Sequence, residues 1–247
     1  VDRIYPEVGE AIVKIFRNLG FDLACPTQQT CCGQPAFNAG YHPEARRMAQ
    51  HTIEVFEKTA GPVIIPSGSC AGMIKAHAGD LFRDDKAWAD RHAALAAKTF
   101  EILTFLDEVM HWRPRGVTYD GVATYHDSCS GLRELGVHDQ PRRLLADIEC
   151  LTLVPLEGNN ACCGFGGTFA VKYPDISNAI VTDKARCIRR TGADTLIAGD
   201  LGCLMNMAGK LTREGGGPKV FHAIEVLAGM ATDNGICADA KAGAKGE

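Results

Sequence analysis

Cys31-Cys-Gly-Gln-Pro-Ala-Phe-Asn38 and Cys162-Cys-Gly-Phe-Gly-Gly-Thr-Phe169 both open with the rare tripeptide Cys-Cys-Gly, at an offset of 131 residues. The next cysteine after each pair recurs at nearly the same offset, Cys70 and Cys203 standing 133 residues apart. Each closes a similar phrase, Gly61-Pro-Val-Ile-Ile-Pro-Ser-Gly-Ser-Cys70 and Ala193-Asp-Thr-Leu-Ile-Ala-Gly-Asp-Leu-Gly-Cys203. A short apolar run feeding a glycine-containing turn reads as a buried strand with a cysteine at its end. The chain is therefore an internal repeat, and the repeat organises every other feature.

Outward from the Cys-Cys-Gly pairs, apolar residues at three and four spacing predict helices over Pro43 to Lys58 and Pro174 to Arg190. Upstream, Glu7 to Leu19 matches Pro141 to Ile148. Downstream, Phe100 to Met110 matches His222 to Met230, the latter preceded by a strand-like Lys219-Val-Phe. Short strands alternating with amphipathic helices predict an α/β fold: two pseudo-symmetric halves with short parallel sheets and functional loops at the carboxyl ends of strands. The expected division is 1–115 for the first repeat and 116–231 for the second. The join falls near His111 to Gly121, where Trp112-Arg-Pro-Arg-Gly116 breaks the periodicity, and 232–247 is expected to be a disordered tail. In the second repeat, strand-like Gly121-Val-Ala-Thr-Tyr-His126 leads to Cys129. Its counterpart would fall just before Val1, so one strand and one ligand cysteine are expected upstream of this sequence.

Of the 247 residues, 46% are hydrophobic and 23% charged, as in a folded globular chain. A formal net charge of −4 argues against nucleic-acid binding, which needs a basic surface. No apolar run approaches the roughly 20 residues that span a bilayer, so no direct membrane span is expected. The eleven cysteines are an odd number, and adjacent cysteines rarely bond to each other. Metal-bound thiolates in a reducing compartment fit better than disulfides, with cytoplasm the expected location.

Four thiolates on loops at strand ends suit zinc or an iron–sulfur cluster such as [4Fe-4S]. Structural zinc sites favour C-x-x-C knuckles, which are absent here, and a directly adjacent pair in an extended segment reaches different irons of a multi-metal cluster more comfortably. The expected metal ligands are Cys31, Cys32 and Cys70 in the first repeat and Cys129, Cys162, Cys163 and Cys203 in the second. Gly33 and Gly164 are expected to let the backbone close around the group, while Gly166, Gly167 and Ser69 supply N–H and hydroxyl donors to its sulfurs. Catalytic residues are not assigned.

These segments, together with Pro66-Ser-Gly-Ser-Cys70 and Gly202-Cys-Leu-Met-Asn206, resemble the cysteine-rich CCG-domain family over nearly the whole chain up to about Ala231. Within it, the chain is most similar to iron–sulfur subunits of bacterial L-lactate oxidation, and more distantly to the iron–sulfur subunit of glycolate oxidase and to the disulfide-cleaving subunit of heterodisulfide reductase. The resemblance implies two [4Fe-4S] clusters in the full pattern, with the first site one ligand short here. It also implies electron transfer within a multi-protein oxidoreductase acting on L-lactate or a related 2-hydroxy acid, with other iron–sulfur or flavin subunits as partners and no activity alone. The heterodisulfide-reductase pattern ends in Cys-x-x-Cys, whereas Met73 and Asn206 hold those positions here. That departure favours an electron carrier over the two alternatives, a thiol/disulfide reductase and a non-redox zinc scaffold.

Several residues take ordinary readings. Cys25 and Cys150 lie on apolar strand-like runs, Cys187 on a helix and Cys237 in the tail, and none is assigned to a cluster. His126 and Asp127 stand just before Cys129, where an imidazole can replace a thiolate in some clusters, yet a strand-end histidine with routine hydrogen bonds is the expectation. Gly164-Phe-Gly-Gly shares part of a dinucleotide fingerprint but lacks its third glycine, which excludes that role. Met205 and Met207 are expected to pack, and Arg46 and Arg47 to be solvated.

Overall fold

The structure is a computed structural model describing residues 5–232 and 235–237. α1 (Pro6–Asn18) starts with proline in its first turn and turns Val8, Ala11, Ile15 and Phe16 inward. After the first Cys-Cys-Gly come α2 (Gln34–Asn38) and α3 (His42–Phe56), then β1 (Val63–Ile65), which runs into α4 (Gly68–Gly72). α4 continues as a π-helical turn, Met73–His77, and a 3-10 turn, Ala78–Phe82. α5 (Lys86–Lys98) leads to β2 (Thr99–Glu101), followed by α6 (Ile102–Thr104) and its π-helical extension Phe105–Val109. The second repeat comprises β3 (Thr118–His126), α7 (Cys129–Leu135), α8 (Asp139–Ala146), β4 (Glu149–Val154), α9 (Thr168–Lys172), α10 (Pro174–Arg190), β5 (Thr195–Ala198), α11 (Leu201–Arg213), β6 (Lys219–His222) and α12 (Ala223–Leu227).

All strand pairs are parallel: β1 with β2 in a two-stranded sheet, and β4-β3-β5-β6 in a four-stranded one. The fold is α/β, as the alternating pattern predicts. In the larger sheet the chain leaves β3 for β4 on one side and then returns to β5 on the other. This reversal opens a crevice at the carboxyl ends of the strands. Cys129 follows β3, Cys162 and Cys163 follow β4, and Cys203 follows β5, so the whole second set gathers there.

The repeat is visible in backbone angles as well as in sequence. Ser67 and Asp200 cap α4 and α11 from extended conformations. Glu101 and His222 cap α6 and α12 with the same φ of −71° and ψ of 141°. The two repeats also trade partners: α1 packs on α12, and its counterpart α8 packs on α6, the counterpart of α12. One buried cluster accordingly joins Val8, Ile15, Leu103 and Leu106 to Leu144, Ile197, Phe221 and Leu227.

The details correct several expectations. Cys25 lies in no strand; the run Phe21–Cys25 pairs with no described strand, and Phe21 and Leu23 are left exposed. Cys150 is on β4 as expected but exposed, with a φ of 66°. Arg46 is not a solvated residue: it bonds the Leu81 carbonyl and Asp85 and lies over the Phe82 ring. The expected tail falls largely outside the described residues. Its described part, 235–237, is held in place, since buried Ile236 donates to the Val220 carbonyl and Cys237 meets the Tyr5 hydroxyl.

α4 and α7 approach closely because glycines face each other. A Cβ on Gly68 would stand 2.7 Å from Ser128 Oγ and 2.9 Å from Gly131 Cα. Gly68→Ala should therefore cost roughly 1–3 kcal/mol through overpacking, read as a lower urea midpoint with an unchanged slope. A midpoint equal to that of the parent would mean that the two helices separate freely.

Candidate metal centres

Each cysteine is placed by a recognisable local device. Ser67 accepts from Cys70 N and Asp200 from Gly202 N, so Cys70 and Cys203 occupy the first turns of α4 and α11. Ser128 caps α7 by accepting from Gly131 N, which puts Cys129 at its first position. The unpaired N–H groups and positive end of a helix favour a thiolate over a thiol. Left-handed Gly33 and Gly164, with φ of 88° and 84°, turn the chain sharply after each Cys-Cys pair. A Cβ on Gly164 would come within 2.7 Å of the Ser177 carbonyl, so this glycine lets the loop seat on α10.

The thiols converge into two sets. In the first, Cys32 Sγ lies 3.4 Å from Cys70 Sγ, and Cys31 is hydrogen-bonded to Cys32. In the second, hydrogen bonds link Cys129 to Cys162, Cys162 to Cys163 and Cys163 to Cys203. All eleven cysteines are free, so neither set is a disulfide. The seven residues expected as ligands are thus assembled as three and four, while Cys25, Cys150, Cys187 and Cys237 stand outside both sets.

Electrostatics single out one thiolate in each set. Donation by Cys129 and Cys163, aided by the Gly164 N–H 3.3 Å away, pulls the Cys162 thiol down to about 2. Donation by Cys32, aided by the Gly33 N–H, pulls Cys31 down to about 6. Cys32, Cys129 and Cys163 are pushed up because they are the donors, with burial adding to the effect. Such a chain of sulfurs sharing protons is what a metal displaces when it binds thiolates. Soft, thiolate-rich sets with no disulfide fit a metal cluster by the chemistry of the donors.

Residues that the sequence reading passed over complete the second centre. Lys184, buried on α10, bonds the carbonyls of Gly158 and Asn159, and its charge is felt by Cys162, Cys163 and Cys203. Asn206 donates to the Cys163 carbonyl at 2.8 Å, fixing the pair to α11. Asp127 takes no part at the thiols: Arg142 grips both its oxygens at 2.9 and 2.8 Å, and Asn159 donates at 2.6 Å. The routine hydrogen bonds expected of His126 are missing. The ring is buried, neither nitrogen has a hydrogen-bond partner, and it forms a compact group with Cys163 and Cys203, their ligand atoms all within 4.8 Å of one another. Burial, followed by the Lys184 charge, pushes its pKa down to about 3. Sequence spacing gives no sign of Lys184, which sits 21 residues beyond Cys163 and reaches the loop only through the packing of α10.

The expected donors have mixed fates. The Ser69 N–H is bonded to Asp200 Oδ2 at 2.9 Å and its hydroxyl to Ser67, while Gln34 binds its carbonyl. Gly166 turns with a φ of 54° beneath Phe169, and Gly167 faces Pro35, whose carbonyl accepts from Thr168. The two Cys-Cys-Gly loops therefore touch. Beside them Asp200 joins the repeats directly, accepting from Ser67 Oγ at 3.0 Å and from its own Gly202 N at 3.1 Å.

The Cysteine-rich domain (CCG) family model matches residues 1–75 and 123–208, the stretches that carry both sets. The chain belongs to the CCG cysteine-rich family. It is 45% identical over 227 residues to Lactate utilization protein A of Exiguobacterium sp., covering 92% of each chain. The protein of the same name from Macrococcus caseolyticus is likewise 45% identical with 92% coverage of each chain. That from Bacillus licheniformis is 44% identical, over 92% of this chain and 94% of the relative.

The polarised thiols of this CCG protein give a labelling order. In metal-free protein at pH 7, iodoacetamide should modify exposed Cys31 and Cys162 before buried Cys32 and Cys163. Because its pKa is lowered only to about 6, Cys31 should lose labelling roughly tenfold between pH 7 and pH 5, while Cys162, lowered to about 2, should not. Peptide mass spectrometry reads both, and equal loss at the two cysteines would contradict the proton arrangement.

Proposed function

We propose that the chain is an iron–sulfur electron-transfer subunit of a multi-protein oxidoreductase that oxidises L-lactate or a related 2-hydroxy acid. Each cysteine set would hold a [4Fe-4S] cluster. The observation that carries this reading is the meeting of two thiol sets, three and four cysteines, at loops that touch across the repeat. Bound clusters supply one-electron storage at each set. The chain's own contribution is to anchor the sulfurs at helix starts, to place Lys184 against the added negative charge, and to bring the sets together through Asp200.

The lactate part follows the names of the relatives, which cover nearly the whole chain. Exchange of electrons with partner subunits fits the exposure of Cys31 and Cys162 at the loop surface. Exposed apolar Val171, Tyr173 and Ile176 lie just beyond the second loop and offer a contact surface. Among the described residues no helix is long and apolar enough to cross a membrane, so attachment there would go through a partner.

Iron and acid-labile sulfide after anaerobic reconstitution, with electron paramagnetic resonance of the reduced protein, test the reading. About four irons and four sulfides should depend on the second set, and replacing Cys162 and Cys163 by serine should abolish them. Zinc, or no metal after reconstitution, would overturn it.

A further inference from the structure

We propose that His126 donates a ring N–H to a sulfur of the group held by Cys129, Cys162, Cys163 and Cys203, and so sets the reduction potential of that centre. This inference rests on the iron–sulfur reading above. His126 ends β3 three residues before Cys129, and the β3–β5 pairing sets it opposite Ala198, at the mouth of the crevice. It is 1% exposed, so water is not its partner. An imidazole always carries a proton on at least one nitrogen, and here neither nitrogen has a hydrogen-bond partner. A buried donor of this kind is rare in folded proteins and calls for an acceptor.

The surroundings leave one direction for it. Asn159, whose carbonyl lies near the ring, is committed to Lys184 through that carbonyl and to Asp127 through its amide. Asp127 points away into the Arg142 pair. What remains in reach are the thiols of Cys163 and Cys203. Four cysteines already provide one ligand for each iron of a four-iron cluster, so the ring is left to act as a hydrogen-bond donor. Donation to sulfur stabilises the more negative reduced state and raises the potential. His126 is thus a positioning residue that acts on the centre through a sulfur.

The test uses the reconstituted full chain grown with 15N-histidine, read by hyperfine spectroscopy of the reduced cluster and by redox titration of His126→Ala and His126→Gln. The expected result is a weak 15N coupling in the parent. His126→Ala should keep its iron but titrate at a more negative potential, and His126→Gln, which retains an N–H, should recover part of the shift. A strong coupling, with iron lost from both variants, would make the ring a ligand and overturn the proposal. Absence of any coupling together with an unchanged potential would overturn it as well. The coupling is measured on the parent and does not depend on either variant folding. Failure of the parent to take up iron would instead strike the iron–sulfur reading itself.

Discussion

The carboxylate of Asp200 is the contact on which the arrangement of both centres depends. It caps α11 three residues before Cys203 while accepting from Ser67 Oγ and the Ser69 N–H. Ser67 in turn caps α4 three residues before Cys70. Two helix starts, each carrying a cysteine in its first turn, are thereby fastened to one side chain. A buried carboxylate with several donors is strongly directional, because each lost donor exposes an unsolvated charge. Neither cysteine can shift along its helix axis without disturbing the other's cap.

The interior near this bridge is arranged to limit uncompensated charge. Glu101, buried at the carboxyl end of β2, is pushed up to about 7, chiefly by desolvation and against the pull of the Leu103 and Thr104 N–H groups. It therefore stays largely protonated near Asp200 under mildly acidic conditions. His222, its counterpart in the second repeat, is pushed down to about 4 by burial, so it adds no positive charge at neutral pH. Around the second centre the signs are paired differently: Arg142 answers Asp127, while Lys184 faces the thiols and keeps its ammonium hydrogen-bonded to two carbonyls. A cation held close to a thiolate-rich group lowers the cost of collecting negative charge in a poorly hydrated place. These groups lie on β3, α8 and α10, elements that meet only because the larger sheet is parallel and wound to both sides.

Much of the fold and of the candidate site was legible from local sequence. Repeated Cys-Cys-Gly, the two strand phrases ending in Cys70 and Cys203, and the helix over Pro174–Arg190 were all visible, since period and turn residues act within a few positions. The strand expected at Phe21–Cys25 failed for a non-local reason: an apolar run becomes a strand only where another strand satisfies its backbone. Arg46 was read as solvated because a helical face by itself does not show which turn will pack over it.

The sequence alone determined the repeat, the α/β class and the seven cysteines at strand ends, since each is encoded by spacing along a short stretch of chain. Only the tertiary structure decided that Ser67 and Asp200 meet, that α1 and α8 cross to the other repeat, that Lys184 reaches the second thiol set and that His126 is left without a partner. Those facts depend on which surfaces pack together over more than a hundred residues of intervening chain, or on how a buried group's neighbours are already committed. Hydrogen-bond satisfaction is a property of the whole packed interior, and no window of sequence contains it.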